Sequence, residues 1–474
     1  MPPPRMGAMR ALHSVLLVVP LLATEHCEPN ADWLLQTAVQ LQTAANGLYH
    51  QVLRNEDDAI YTASVRCGQQ ELRAIPDTGS SELVVFAEGC KGCGAAVETG
   101  YKPSTSVEVG HLVQLITYGS GSVLCREVTD LLEIGPLHGL QAMWLVEQAD
   151  MSILQQSNFQ AIMGLGPIAL AETLQDLRKL HEIAETLEAH HLMSPFLRHR
   201  LKEQQQAHLE LASLNDSVPA TLHLRFLSVC LERPANSPGH LIWHDLDPTL
   251  RSEPFRRLTV VGSISWALQL KDLRLRAPNG TSVPLACSEG CGALLDTGTS
   301  LISAPTAPRA KLAQLLEAMG ANCLDQETWP ILEFQLGGEH LSLSAQALLG
   351  MVKGLMPLPW RSSYQQHPFV VVEACELLVM DTGDINTEWG PLWILGMPFF
   401  RQYYTTFDYG APKSHAAGRT PPAVWVAEST EQCTPRAAST HVQLVQHGPV
   451  QVDLAKLRLP EWMANRANRS HINL

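Results

Sequence analysis

Asp77-Thr78-Gly79-Ser80-Ser81 and Asp296-Thr297-Gly298-Thr299-Ser300 stand 219 residues apart, one in each half of a chain of 474 residues. A carboxylate duplicated in matching context is what two halves of a molecule supply when two acids work as a pair. Held about 3 Å apart, two carboxyl groups cannot both ionise, so the pair keeps one proton. The ionised member then acts as general base on a water while the protonated one donates to a carbonyl, the chemistry of peptide-bond hydrolysis. Asp77 and Asp296 are therefore the candidate catalytic residues, supported by Thr78, Gly79, Ser80, Thr297, Gly298 and Thr299. The glycines are read as permitting the tight turn that brings both loops to one axis. Ser80 and Thr299, three residues after each aspartate, are placed to hydrogen-bond the outer carboxylate oxygens.

The chain carries its own control. Asp381-Thr382-Gly383 runs on into Asp384 and Ile385, lacks the trailing hydroxyls and the hydrophobic lead-in, and reads as a loop. Asp296 follows Ala293-Leu294-Leu295, a buried strand by its pattern, and Asp77 follows Ala74-Ile75-Pro76. Two further segments, Ile162-Met163-Gly164 and Ile394-Leu395-Gly396, are expected to pass beside the catalytic loops as buried strands. Glycine ends each because another backbone must lie against it.

Cys287 to Ile302 (CSEGCGALLDTGTSLI), Trp393-Ile-Leu-Gly396 with Phe399 to Asp408 (FFRQYYTTFD), and Ile116 to Ser122 (ITYGSGS) carry a wider likeness. In these blocks the chain resembles the pepsin family of aspartic endopeptidases, over roughly Ile60 to Glu428. The resemblance implies a mostly β, bilobal fold in which two related β lobes flank a substrate cleft. It implies an endopeptidase that cleaves internal bonds of peptides or proteins at acid pH, without cofactor, metal or covalent intermediate. Tyr118, with Gly119 and Ser120, takes the place of the mobile flap that closes over substrate. Cys287–Cys291, Cys323–Cys375 and Cys90–Cys93 fall where the family forms disulfides; Cys27, Cys67, Cys125, Cys230 and Cys433 are left, with Cys67–Cys125 the one pairing suggested. Three positions depart from the family. Pro76 is expected to remove one ladder hydrogen bond beside Asp77, Val84 replaces a tryptophan behind the flap tyrosine, and Gln160-Ala161 replaces Asp-Gly. Altered specificity is the expectation they raise.

Composition agrees with an exported β protein. Net charge is −14, which argues against nucleic acid or anionic lipid as partner. Only 17% of residues are charged, against 32 glycines and 31 prolines, a balance that favours strands and turns over helices. The apolar run Ala11–Ala23, behind Arg5 and Arg10, fits a signal peptide over residues 1–23 and is too short to span a bilayer. The expected location is the secretory pathway, ending in release or in an acidic vacuole or lysosome, with eleven cysteines mostly paired. Asn215, Asn279 and Asn468 are glycosylation sequons, and a monomer is expected. The nineteen histidines show no H-E-x-x-H or similar ligand spacing, so no metal is expected.

The expected organisation is a segment 24–59 in the place of a prosegment, an N-terminal lobe 60–225, a C-terminal lobe 226–428 and an extension 429–474, flexible or lightly docked. Within 24–59, Arg54 is the only Lys or Arg, so neutralisation of the aspartates by basic residues finds no support there. Leu170, Leu174, Leu177, Leu180, Ile183 and Leu187 recur at helical spacing, marking a helical insertion at about 169–214 on the outside of the first lobe. The alternative reading is a catalytically weak relative that binds peptides without cutting them; a third is a secreted inhibitor or structural protein on the same scaffold. Loss of an aspartate or of the hydroxyl at 80 or 299 would favour either, and none is lost.

Overall fold

A computed structural model describes residues 47–94, 99–104, 107–118, 121–151, 154, 158–168, 194, 217–262, 265–323, 325, 328–357, 369–411, 420–437 and 450–453. The expected signal peptide, residues 24–46, the helical insertion apart from Ser194, Gly119, Ser120, Asn215, Asn468 and Cys27 lie outside these residues.

The first half is built from β1 (Tyr49–Glu56), β2 (Ile60–Cys67), β3 (Gln70–Asp77) and β4 (Leu83–Lys91), then a meander of β5 (Glu108–Tyr118), β6 (Gly121–Ile134) and β7 (Leu137–Met151), then β8 (Ala161–Gly164). β9 (Phe226–Leu231) and β10 (Gly239–Trp243) follow. Among the described residues, thirteen strands join in the order Arg256–Thr259, Ala423–Glu428, Tyr403–Asp408, β9, β10, β1, β2, β3, β8, β4, β7, β6, β5. A nine-stranded sheet carries the second half. The fold is mostly β and bilobal, as the resemblance implied.

β1 bridges the halves: its leading end pairs with β10 (Tyr49↔Trp243 to Leu53↔Gly239) and its trailing end with β2. The body therefore has a strand ahead of Ile60, inside the stretch assigned to 24–59. Alternation explains why: Gln51 and Leu53 face the core at 5% and 2% exposure, while Val52 faces out.

Both Asp-Thr-Gly loops are threaded in the same way. β3 runs parallel to β8, with Ile75↔Ile162 and Asp77↔Gly164; Cys291–Leu295 runs parallel to Gly390–Leu395, with Leu294↔Ile394. A methyl at Gly164 would stand 2.4 Å from the Ser81 carbonyl carbon, and one at Gly396 2.3 Å from two backbone oxygens. Close backbone approach is thus the reason for both glycines.

Among the described residues, four disulfides join Cys90–Cys93, Cys230–Cys433, Cys287–Cys291 and Cys323–Cys375. Cys67 and Cys125 are not bonded to each other, and both are buried. Cys67 stands opposite Leu132 of β6 and Cys125 is seven residues earlier on that strand, roughly 23 Å away at strand rise. They also face different cores. Nor is the start of the extension loosely attached: Cys433 is bonded to Cys230, Arg436 N donates to Glu428 O, and Val450–Asp453 adds in parallel to Leu349–Pro357. The Cys230–Cys433 bond spans 203 residues, so replacing both cysteines by serine is expected to cost about 2–5 kcal/mol, read as a lower midpoint in chemical denaturation. No helix among the described residues is long and apolar enough to cross a membrane.

Candidate active site

The end of β3 and the end of Cys291–Leu295 deliver Asp77 and Asp296 to one place, 3% and 0% exposed, with their carboxyl groups hydrogen-bonded to each other. Each aspartate is held by its own loop: Gly79 N donates to Asp77 Oδ1 (2.9 Å) and Gly298 N to Asp296 Oδ1 (2.7 Å). Thr299 Oγ1 donates to Asp296 Oδ2 at 2.6 Å. Ser80 breaks the expected symmetry. Its backbone is fixed by Gly166 N donating to Ser80 O, but its buried Oγ has no hydrogen-bond partner among the described residues.

The two loops are locked by their threonines. Thr78 N donates to Thr297 Oγ1 and Thr297 N to Thr78 Oγ1, both at 3.0 Å; the hydroxyls donate onward to Leu295 O and Pro76 O at 2.9 Å. Neither hydroxyl can be lost without stranding a buried N–H of the other lobe. Thr297→Val is isosteric and is expected to destabilise the fold by about 1.5–4.5 kcal/mol, the sum of a lost bond and a stranded donor, measured by urea denaturation.

The glycines have a different purpose from the one expected. Neither Gly79 nor Gly298 is among the residues with positive φ. Instead, a methyl on Gly79 would stand 2.7 Å from the Asp296 carboxyl carbon, and one on Gly298 2.4 Å from Asp77 Oδ1. Each loop's glycine lies against the other loop's carboxylate, and any side chain would part the dyad.

Burial, first, and then the Asp77 carboxylate raise the pKa of Asp296 well above the ordinary carboxylate range, outweighing the Thr299 and Gly298 bonds. Asp296 therefore keeps a proton where an exposed aspartate would lose it.

The family departures are absorbed locally. Arg73 O and Asp77 O accept from the β8 side, from Gln160 N and Leu165 N, so by alternation the carbonyl of Pro76 faces the other way, to Thr297 Oγ1. β2 pairs with β3 only as far as Ala74. The missing N–H of Pro76 thus removes no ladder hydrogen bond, contrary to expectation. Gln160 is 3% exposed and braces the floor, accepting from Arg73 N and donating to Thr99 Oγ1. Val84 is buried opposite Ile162. Tyr118 ends β5 opposite Gly121, 1% exposed, in the same apolar cluster as Val84, Phe86 and Phe159.

Asp381 makes the same local bond as Asp77 and Asp296, accepting from Gly383 N at 2.7 Å, but it also accepts from Thr306 Oγ1 at the surface. Asn279 lies exposed in a turn. Two locks on the dyad floor went unread: Trp266 Nε1 and Tyr409 OH both donate to Leu165 O across the lobes, and Ser300 Oγ donates to Ala59 O at 2.6 Å. The repeated hydroxyl after each string was the only hint of the last.

Two interlocked loops presenting a buried, closely placed pair of aspartates on a bilobal β fold define an acid protease architecture. The eukaryotic aspartyl protease family model matches residues 60–197 and 218–418, and the chain belongs to that family. It is similar to renin of Ovis aries (26% identity over 375 residues, 75% of this chain and 80% of that one) and to cathepsin E of Cavia porcellus (28% over 360 residues, 74% and 78%). Pepsin A of Bos taurus is 24% identical over 382 residues, 78% of this chain and 87% of that one.

Proposed function

We propose that this chain is an aspartic endopeptidase that hydrolyses internal peptide bonds with a water activated between Asp77 and Asp296. One observation carries the reading: both carboxyl groups are buried, hydrogen-bonded to each other and fixed by separate backbone N–H donors. With one proton between them, the ionised group takes a proton from water as it adds to the scissile carbonyl. The protonated group donates to the carbonyl oxygen. Collapse of the tetrahedral intermediate returns a proton to the leaving amine, and no bond to the protein forms. Tyr118 at the hairpin tip is assigned to closing over the substrate and excluding water. Four disulfides and the signal-like N-terminus support action in the secretory pathway, after release or in an acidic compartment.

The test is digestion of an unfolded protein by the purified chain beside its Asp77→Asn variant, followed by mass spectrometry. Internal fragments from the first and none from the second are expected. Folded protein that binds the substrate yet yields no fragments would replace this reading with peptide binding.

A further inference from the structure

A chain of three titratable groups lies on the outer face of the sheet, where β1 meets β10. His50 Nε2 and His240 Nδ1 are 3.0 Å apart, and His240 Nε2 is 2.9 Å from Glu232 Oε1. His50 is exposed and His240 is 8% exposed. The carboxylate can only accept, so His240 Nε2 carries a hydrogen. Neutral His240 then accepts at Nδ1, and His50 Nε2–H donates to it. Two strands paired backbone to backbone (His50↔Ile242, Val52↔His240), and already joined by Trp243 Nε1 donating to Gln51 Oε1 at 3.0 Å, thereby gain a second side-chain tie.

We propose that His50 and His240 form a pH-operated clamp that holds the leading end of β1 on β10 at neutral pH and releases it in acid. The pair takes up one proton without breaking, because an imidazolium and an imidazole still share one N–H···N bond. A second proton sets two N–H groups against each other across the same 3.0 Å, with one carboxylate for two cations. The other charged and titratable groups facing the pair offset this only in part. Asp245 is engaged by Arg251 at both oxygens (3.2 Å) and accepts from Tyr404 OH and Ser228 Oγ. Arg233, next to Glu232, is turned to Ser429 O. Burial, and then His240, lower the pKa of His50, with Asp245 opposing. The sign follows: the unfolded chain binds the second proton more readily than the clamp. The clamp's contribution is present above the ordinary histidine pKa of about 6.5 and is lost as pH falls below it.

Release is confined to the leading end. Past Leu53, β1 passes to β2, and the following turn is pinned: Asn236 N donates to both Asp58 oxygens (3.1 Å), and Arg401 Nη2 to Asp58 O (3.0 Å). Acid thus loosens the point where the preceding chain enters the body and leaves the dyad floor in place. The clamp does not depend on the proposed hydrolysis.

The experiment is hydrogen exchange of the backbone amides of residues 49–53 at pH 7.5 and 4.5, corrected for intrinsic rates, in the full chain carrying Asp296→Asn to prevent self-cleavage. Exchange is expected to quicken by about tenfold or more at pH 4.5. Adding His50→Gln or, separately, His240→Gln leaves one ring that cannot reach the two-cation state, so the ratio between the two pH values is expected to fall to within about twofold. Equal protection at both pH values in the parent, or the same quickening in both histidine variants, would overturn the clamp.

Discussion

Asp296→Asn is expected to abolish hydrolysis and, at the same time, to make the protein more stable near neutral pH. The asparagine cannot take part in proton sharing, so kcat/KM falls by roughly 10⁴-fold, the upper range for losing a positioned acid–base group. The stability effect follows from linkage. Desolvation and Asp77 hold the pKa of Asp296 well above the ordinary carboxylate value. Between that ordinary value, about 3.9, and the raised one, the folded chain binds a proton that the unfolded chain releases, so stability drops as pH rises across the window. The variant has no such group and escapes the drop. Thermal unfolding at pH 4 and pH 7.5 should show its Tm advantage small at the first and clearly larger at the second. An advantage that shrinks with rising pH would mean that Asp296 is not the group holding the proton.

Gly298→Ala is the second large effect. Its methyl would stand 2.4 Å from Asp77 Oδ1, whereas ordinary contact begins at 3.4 Å. Asp77 must retreat by about 1 Å, a displacement that costs on the order of 10²-fold in a positioned reaction. The loss should appear in kcat, with circular dichroism of the variant unchanged. A Gly298→Ala enzyme of wild-type activity would show that the two loops need not touch.

The sequence carries the site more legibly than the reasons for it. Two Asp-Thr-Gly strings with apolar lead-ins mark the candidate dyad, and two apolar pairs ending in Gly164 and Gly396 mark the strands behind it, because these are local patterns. Why residue 79 or 298 is glycine is not local: the obstacle is a carboxylate 219 residues away. The same holds for Thr78 and Thr297, whose hydroxyls bond across the lobes, and for Cys230 and Cys433, which meet only once Tyr403–Asp408, β9 and β10 are laid side by side. Pro76 misled for a related reason. Whether a strand proline loses a hydrogen bond depends on which side its carbonyl faces, and that phase is set by register with β8. β1 was hidden by its polar neighbours, since only Gln51 and Leu53 on its inner face mark it as part of the body.

The central claim, that two buried aspartates share one proton and with it activate water, is tested most directly by the pH dependence of kcat/KM on an unfolded protein substrate. The expected profile is active in acid, with its alkaline limb well above the ordinary carboxylate pKa because Asp296 retains its proton there. A correctly folded chain that cleaves nothing at any pH, or a rate that climbs through neutral pH as for an imidazole or thiolate base, would contradict it.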